Sequence, residues 1–158
     1  MWPKSDKQHK LVDLAKTIAD DIKSTAPMHD RNASFPHEHF EFMRKTGYLK
    51  ASVPQRDGGY GHGLTDLVLA QYEIGVGDGS TSVSVGMHHM IVGAEAETQN
   101  WPKELRKAIF ESIVQNGALI NSIASEPDLG SPRGGGRPAT TLEPTSDGRW
   151  ILNGRKTW

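Results

Sequence analysis

The sequence predicts an α+β protein, in which an all-α helical bundle at residues 1–117 is followed at residues 118–158 by the first strands of an antiparallel β-domain. Before Gly117, apolar residues recur at the spacing that puts them on one face of a helix. After Gly117, short apolar runs and alternating stretches are separated by turn residues, which is typical of strands. This change of period is the predicted domain boundary.

The first two helices are predicted from their apolar faces. Apolar residues recur at helical spacing from Leu11 to Ile22, and charged residues take the opposite face. A polar turn is expected at residues 29–34. Pro36 then opens a second helix, since proline is tolerated in a first turn, and Gly47 is placed to end it.

A loop rich in glycine and proline, residues 53–61, precedes three further helices. Its Gly58-Gly59-Tyr60-Gly61 run could cradle a phosphate, but it follows no predicted strand and lacks the lysine of a P-loop. Apolar patterns predict helices at 64–74, 82–96 and 100–116, and the second of these is expected to be buried on all sides.

Short apolar runs after the predicted boundary indicate three strands, at 119–124, 139–143 and 150–152. Residues 144–148 are expected to form a turn between the second and third strands. Asn153-Gly154 is a strong signal for a two-residue hairpin turn, so residues 155–158 are expected to pair back on the third strand.

Composition disfavours several kinds of partner. The formal net charge of −1 over 158 residues suggests neither nucleic acid nor an anionic membrane. The chain has no cysteine, which excludes disulfides and thiolate chemistry and fits a reducing compartment, so a cytoplasmic location is expected. No apolar run approaches the roughly 20 residues that a membrane span needs.

Adjacent histidines occur at His88-His89 and, around one glutamate, at His37-Glu38-His39. Neighbouring residues do not share a helix face, and a metal pair on one helix needs i, i+4 spacing, so no metal is expected. His88 and His89 are predicted either to be buried and hydrogen-bonded or to line a pocket, with His88 as a residue that binds substrate. His37-Glu38-His39 is predicted to lie on a helix surface.

The chemistry-bearing stretch is Ser122-Ile123-Ala124-Ser125-Glu126-Pro127-Asp128-Leu129-Gly130-Ser131. Proline cannot donate to a β-ladder, and glycine lets the backbone approach a ligand closely. A strand that breaks at this point exposes N–H groups and hydroxyls, which suits a flat ring with a polar edge. Further along, the chain reads Leu152-Asn153-Gly154-Arg155-Lys156-Thr157-Trp158.

These two motifs resemble those of the acyl-CoA dehydrogenase superfamily, which usually carries Thr-Glu-Pro-x-x-Gly-Ser-Asp and then Asn-Gly-x-Lys-x-Trp-Ile-Thr in its middle domain. Ser125 stands where threonine is usual and keeps the hydroxyl. Pro132 stands where aspartate is usual, which removes a charge and an N–H. Because the chain ends at Trp158, the resemblance implies a truncated member without the family's C-terminal four-helix domain.

The resemblance implies an FAD site whose ring lies between the β-domain and the C-terminal domain. Ser125 is expected at the pyrimidine edge of the ring, and Ser131 is also expected to meet the pantetheine side of a thioester substrate. Glu126 is expected to be structural, and no catalytic residue is expected in this chain, because the family's base is a glutamate of the C-terminal domain. The residues expected to contact the cofactor are Ser122, Ile123, Ala124, Ser125, Ser131 and Trp158.

The implied activity is that of an FAD-dependent oxidoreductase of fatty acid metabolism, which removes the α-proton of an acyl thioester and takes a hydride from its β-carbon. The implied partners are an acyl-CoA or similar small molecule, a flavoprotein electron acceptor or oxygen, and further copies of the chain in a homodimer or homotetramer. The 158-residue chain alone is expected to be inactive and to hold FAD weakly.

Two alternative hypotheses about the function remain. Gly134-Gly135-Gly136, flanked by Arg133 and Arg137, loosely resembles members of the superfamily that act as two-component flavin-dependent monooxygenases, for which FMN is a possible cofactor. A non-enzyme alternative is a helical interaction module.

Overall fold

The structure, a computed structural model, describes residues 2–129 and 135–157. The chain divides into two compact units, Met1–Asn121 and Ser122–Trp158. The helices all precede the strands, which confirms the predicted α+β class. Within the described residues the elements are α1 (Asp6–Ile22), α2 (Ala26–Asn32), α3 (His37–Lys45), two 3-10 turns (Tyr48–Lys50 and Gln55–Asp57), α4 (Leu64–Gly77), α5 (Gly79–Thr98), α6 (Lys103–Asn116), β1 (Thr141–Pro144) and β2 (Trp150–Asn153).

Helix α1 has a capped N-terminus and buries the predicted face. The Ser5 hydroxyl accepts a hydrogen bond from the Gln8 N–H, which satisfies one of the donors that a helix start leaves unpaired. The buried residues of α1 repeat at helical spacing and are Leu11, Val12, Ala15, Ile18, Ala19 and Ile22.

Residues 29–34, predicted to form a polar turn, lie largely in helix α2 instead. Pro27 is in the first turn of α2, where its missing N–H is not needed, and Ala33 ends the helix in the left-handed conformation at φ 47°. None of the residues of α2 is buried, so the helix has no apolar face. A hydrophobic period could therefore not reveal it.

Helix α3 buries Phe40 and Met43 as predicted, and Gly47 adopts a left-handed φ of 75° just beyond its end. His39, however, is buried at 0 % exposure, so the prediction that the His37-Glu38-His39 run lies on the surface is wrong for its last residue. The side chains of the main core of this unit are Leu11, Ala15, Ile18, Ile22, Phe40, Met43, Tyr48, Leu49, Ala51, Leu67, Ala70, Ile74 and Val85.

The loop between α3 and α4 folds back on the chain that precedes it. The Gly61 N–H donates to the Val53 carbonyl at 2.8 Å, and the His62 N–H donates to the Ala51 carbonyl at 2.9 Å. At Gly59 a Cβ atom would overlap the Val53 carbonyl oxygen. The glycines of this loop thus have a structural reason, which is the close approach of two backbone segments.

Helices α4, α5 and α6 form where the sequence predicts them. The Asp78 carboxylate caps α5 by accepting from the Ser80 N–H at 3.3 Å and the Thr81 N–H at 3.0 Å. Gly117 ends α6 with a left-handed φ of 60°. Among the helices of the described residues, none is long and apolar enough to cross a membrane.

Helix α5 is not buried on all sides, contrary to the prediction. Val83 is 70 % exposed and Met90 is 58 % exposed. Helix α4 likewise exposes Leu64, Val68 and Tyr72. An apolar composition all round a helix predicts burial, but it does not say which sides other elements cover.

The second unit contains an antiparallel pair of strands. Leu142 of β1 lies opposite Leu152 of β2, and Pro144 lies opposite Trp150. The predicted turn at 144–148 joins the two strands, so the second and third predicted strands are confirmed with shifted ends. Every residue of both strands is exposed within the described structure.

The first predicted strand, 119–124, is not formed in the described residues. Ile120 packs instead against a small helical cluster that includes Phe110, and its N–H donates to His88 Nδ1 at 3.2 Å. An apolar run of this length does not distinguish a strand from an extended segment that packs on helices.

Candidate functional site

In the second unit, the buried Glu126 carboxylate accepts hydrogen bonds from several stretches of the chain. Only 4 % of the residue is exposed. It accepts hydrogen bonds from the Ala139 N–H at 2.7 Å, the Thr140 N–H at 3.1 Å and the Thr140 hydroxyl at 2.6 Å. Lys156 Nζ lies at 2.8 Å and completes the set. Glu126 thus ties three separate stretches of chain together, in agreement with its expected structural role.

The electrostatics of this cluster hold Glu126 in its ionised form. The hydrogen bond from the Lys156 ammonium, followed by those from Thr140 and Ala139, lowers the pKa of the Glu126 carboxyl to about 2. Four hydrogen bonds on an ionised carboxylate favour the charged form strongly. At neutral pH the Glu126 carboxylate is therefore a poor acceptor for a further proton, and it is unsuited to act as a general base.

The two sequence motifs meet through backbone and side-chain hydrogen bonds. The Thr157 N–H donates to the Ser125 carbonyl at 2.9 Å. Lys156 Nζ donates to the Ala124 carbonyl at 3.3 Å in addition to its bond with Glu126. In the described residues after Gly154 no strand pairs back on β2, so the predicted hairpin at Asn153-Gly154 is wrong. The chain turns to the first motif instead, because Lys156 and Thr157 find their partners there.

The residues predicted to contact the cofactor differ in solvent exposure and hydrogen bonding. Ser122, Ile123 and Ala124 are exposed, and Ser125 is half-buried. Within the described part of the chain, the Ser125 hydroxyl has no hydrogen-bond partner, although the Ser125 carbonyl does. Ser131 and Trp158 lie outside the described residues. The structure therefore places Ser125 and Glu126 beside Lys156 and Thr157 of the second motif.

Lys156 and Thr140 were not predicted as site residues, yet they hold the motif together. A signal for such partners exists in the sequence. A glutamate that follows an apolar run is rarely buried unless a cation or several donors pair with it. Lys156, inside the second motif, is a cation that can pair with Glu126.

The adjacent residues His88 and His89 are both buried in the first unit, but their hydrogen bonds differ. His88 Nε2 bonds the Leu49 carbonyl at 2.8 Å, and His88 Nδ1 accepts from the Ile120 N–H. Both ring nitrogens of His88 are thus used inside the fold, which favours the buried, hydrogen-bonded alternative, and substrate binding by His88 stays a prediction. His89 bonds the Ser52 hydroxyl through Nδ1 at 3.0 Å, and its Nε2 has no partner among the described residues.

His89 also lines a cavity with a volume of about 580 Å³. The walls of this cavity come mainly from small and apolar residues of α4 and α5, among them Leu67, Gly86 and Gly93. A cavity of this size is in the range that small-molecule sites occupy. The cavity belongs to the first unit, and the motif at Ser125 belongs to the second.

Comparison with known proteins agrees with the resemblance seen in the motifs. A model of the acyl-CoA dehydrogenase N-terminal domain family matches residues 5–116. YdbM of Bacillus subtilis (strain 168), which is named as an acyl-CoA dehydrogenase, is 36 % identical over 158 residues. The match covers 100 % of this chain and 41 % of YdbM.

Two further similar proteins are not named as acyl-CoA dehydrogenases. The amino sugar nitrososynthase DnmZ of Streptomyces peucetius is 30 % identical over 157 residues, which cover 98 % of this chain and 37 % of DnmZ. The crystal structure of KijD3 in complex with FMN and a dTDP-linked amino sugar superposes with a TM-score of 0.81 at 29 % identity. It covers 98 % of this chain and 37 % of KijD3. The chain thus spans about two fifths of the length of these relatives.

Proposed function

The chain belongs to the acyl-CoA dehydrogenase family, and from this we propose that it forms the N-terminal part of an FAD-dependent oxidoreductase that dehydrogenates an acyl thioester. The observation that carries the proposal is the joining of the two motifs around Glu126. Lys156 and Thr157 donate hydrogen bonds to the Ala124–Glu126 segment, and among the residues that the structure describes the Ser125 hydroxyl has no partner.

The described residues fit a flavin ring in their chemistry. Ile123 and Ala124 are exposed beside the half-buried Ser125, whose hydroxyl can donate to a ring edge. The negative charge of Glu126 is balanced by Lys156, so the segment presents no net negative charge. This matters because flavin, when bound, accepts a hydride and becomes negative at its pyrimidine edge, where nearby donors stabilise the reduced form.

The proton that leaves the α-carbon needs a base within hydrogen-bond reach. Glu126 is tied up by four hydrogen bonds, so we assign it a positioning role and place the base outside the Ser122–Leu129 segment. The proposal therefore includes a base from further residues of the complete enzyme. It also includes FAD contacts by Ser131 and Trp158, a flavoprotein electron acceptor, a homodimer or homotetramer, and a cytoplasmic location. The 158-residue chain alone would be inactive.

A second candidate is a flavin-dependent monooxygenase or nitrososynthase on the same fold. The identity of 30 % to DnmZ and the FMN in the KijD3 complex favour it, and so does Pro132 in place of the usual aspartate. In such an enzyme the flavin would be FMN or FAD supplied in reduced form, and oxygen would be the acceptor. The Ser122–Ser125 segment would face the ring in both candidates.

We expect the full-length protein to distinguish these candidates in one assay. Under anaerobic conditions, acyl-CoAs of graded chain length are added to the oxidised flavoprotein, and flavin absorbance is followed. Bleaching by an acyl-CoA, with formation of an enoyl-CoA, is the result that we expect. If no acyl-CoA bleaches the flavin, but reduced FMN and oxygen give an oxygenated product from an amino sugar nucleotide, the second candidate replaces the first.

A further inference from the structure

Three side chains of metal-ligand type meet at the junction of α2 and α3. They are His29 from α2, and Glu38 and His39 from the first turn of α3. One ligand atom from each lies within 4.8 Å of the others. The cluster lies in the first unit, and neither the flavin motif nor the proposed oxidation uses it.

The hydrogen bonds of His39 fix which of its ring nitrogens carries the proton. The Thr81 hydroxyl donates to the Asp78 carboxylate, so it can only accept from His39, whose Nδ1 lies at 2.8 Å. The proton of the neutral His39 ring is therefore on Nδ1, and Nε2 carries a lone pair. Burial supports the neutral ring, since it lowers the pKa of His39 below its usual value.

The His39 Nε2 lone pair is taken up by the Thr25 hydroxyl. It now accepts from the Thr25 hydroxyl at 2.7 Å. The same hydroxyl already has a second acceptor, the Ile22 carbonyl at 3.2 Å. A cation about 2.0–2.1 Å from Nε2 would lie where the Thr25 oxygen now is, so the Thr25 side chain must rotate away when the cation binds.

His29 and Glu38 are hydrogen-bonded at the position where a cation would bind. His29 Nε2 lies 2.5 Å from Glu38 Oε1, and His29 Nδ1 lies 2.8 Å from the Ser34 hydroxyl. The bond from His29 lowers the pKa of the Glu38 carboxyl, which is ionised and acts as the acceptor. When a cation occupies the Nε2 lone pair of a neutral His29 ring, the ring proton is on Nδ1 and can be donated to the Ser34 hydroxyl. Both rings would then be held through Nδ1 by hydroxyls, as metal-binding histidines commonly are held by a polar group.

We propose that His29, Glu38 and His39 form a binding site for a divalent transition-metal cation of the zinc type, with His29 Nε2, a Glu38 oxygen and His39 Nε2 as ligands. Two imidazoles and a carboxylate are a ligand set that zinc uses, with water in the fourth position. Tetrahedral bonds of about 2.0–2.1 Å place ligand atoms about 3.3 Å apart. The 2.5 Å contact between His29 and Glu38 must therefore open, and separations of up to 4.8 Å must close. The Glu38 side chain is 52 % exposed and can move away from His29.

The site would act on the fold rather than on the flavin. Helix α2 buries none of its residues, so little packing holds it in place. A cation held by His29 and by two residues of α3 would join α2 to the core. Because it binds the folded chain in preference to the unfolded chain, it would raise the unfolding temperature with its concentration.

The test is a titration of the untagged, chelator-treated chain with Zn²⁺ by calorimetry, and with Co²⁺ by visible absorption. We expect one saturable site, the absorption of four-coordinate Co²⁺, and displacement of Co²⁺ by Zn²⁺.

Variants decide whether these residues are the ligands. His29→Ala and Glu38→Gln should each weaken Zn²⁺ binding by more than about a hundredfold, and Ser34→Ala, which removes only the hydroxyl behind His29, by about tenfold. His9→Ala and His37→Ala change exposed histidines and should leave Zn²⁺ binding unchanged. Glu38→Gln keeps the shape of the side chain, so its unfolding midpoint without metal should stay near that of the wild type. No saturable binding, or binding that survives both His29→Ala and Glu38→Gln, would overturn the proposal.

Discussion

Acidification below pH 6.5 should destabilise the helical unit by about 1.4 kcal/mol per pH unit through His89 alone. Burial, reinforced by the neighbouring His88 and His62, lowers the pKa of His89 from 6.5 to about 3. The ring packs edge-on against Tyr48, with ring centroids 4.9 Å apart, and its Nε2 has no partner in the described residues that could stabilise a charge.

The sign follows from proton linkage. The unfolded chain takes up a proton at His89 near pH 6.5, whereas the folded chain does so only near pH 3. The contribution to stability is therefore complete above pH 6.5 and is lost progressively as the pH falls toward 3. Burial also lowers the pKa values of His88 and His39, so the same window includes smaller losses from them.

Urea unfolding at several pH values between 6.5 and about 4 measures this effect as the slope of the unfolding free energy. His89→Gln retains a polar side chain but has no titrating ring, so its slope should be smaller than that of the wild type by about 1.4 kcal/mol per pH unit. His9→Gln, at an exposed position of α1, should leave the slope unchanged. Equal slopes for His89→Gln and the wild type would show that His89 is not held neutral by burial.

Gly59→Ala should destabilise the helical unit by about 3 kcal/mol, the upper end of the cost of overpacking. The added Cβ would overlap the carbonyl oxygen of Val53 and its Cβ, and a backbone atom cannot rotate away as a side chain can. Val53 belongs to the small core cluster with Val92 and Phe110, so a displaced backbone there also disturbs packing.

The matched control is Gly79→Ala in the first turn of α5, where a Cβ meets nothing within 4 Å. Alanine has the higher helix propensity, so this variant should be as stable as the wild type or more stable, by up to about 1 kcal/mol. Both variants are compared by urea unfolding at neutral pH. A Gly59→Ala protein as stable as Gly79→Ala would contradict the close packing of this loop.

The sequence predicts helices well where one face is buried and poorly where burial is absent. Helix α1 has a regular apolar face from Leu11 to Ile22, and its limits are close to those predicted. Helix α2 has no fully buried residue and therefore no apolar period that could predict it. The exposed sides of α5 were not predicted, because composition does not show which sides of a helix are covered. The strand at 119–124 was overpredicted, since an apolar run there packs on helices.

The candidate sites could be predicted from the sequence only where their residues are contiguous. The Ser122–Ser131 motif is contiguous, so its chemistry could be read from the sequence. The pairing of Glu126 with Lys156 and Thr140 depends on how the chain turns after Gly154, which local pattern does not determine. The cluster of His29 with Glu38 and His39 joins two helices, so the i, i+4 rule for a single helix could not find it.

The most direct measurement of the flavin proposal is the reduction potential of the full-length protein with alanine or threonine at position 125. If the Ser125 hydroxyl donates to the pyrimidine edge, Ser125→Ala should lose one hydrogen bond, about 0.5–1.5 kcal/mol, from the reduced form. That corresponds to a potential lower by about 10–30 mV for a two-electron couple. Ser125→Thr keeps the hydroxyl and should retain the wild-type potential. A potential and a flavin affinity that are unchanged in Ser125→Ala would contradict the placement of Ser125 at the flavin.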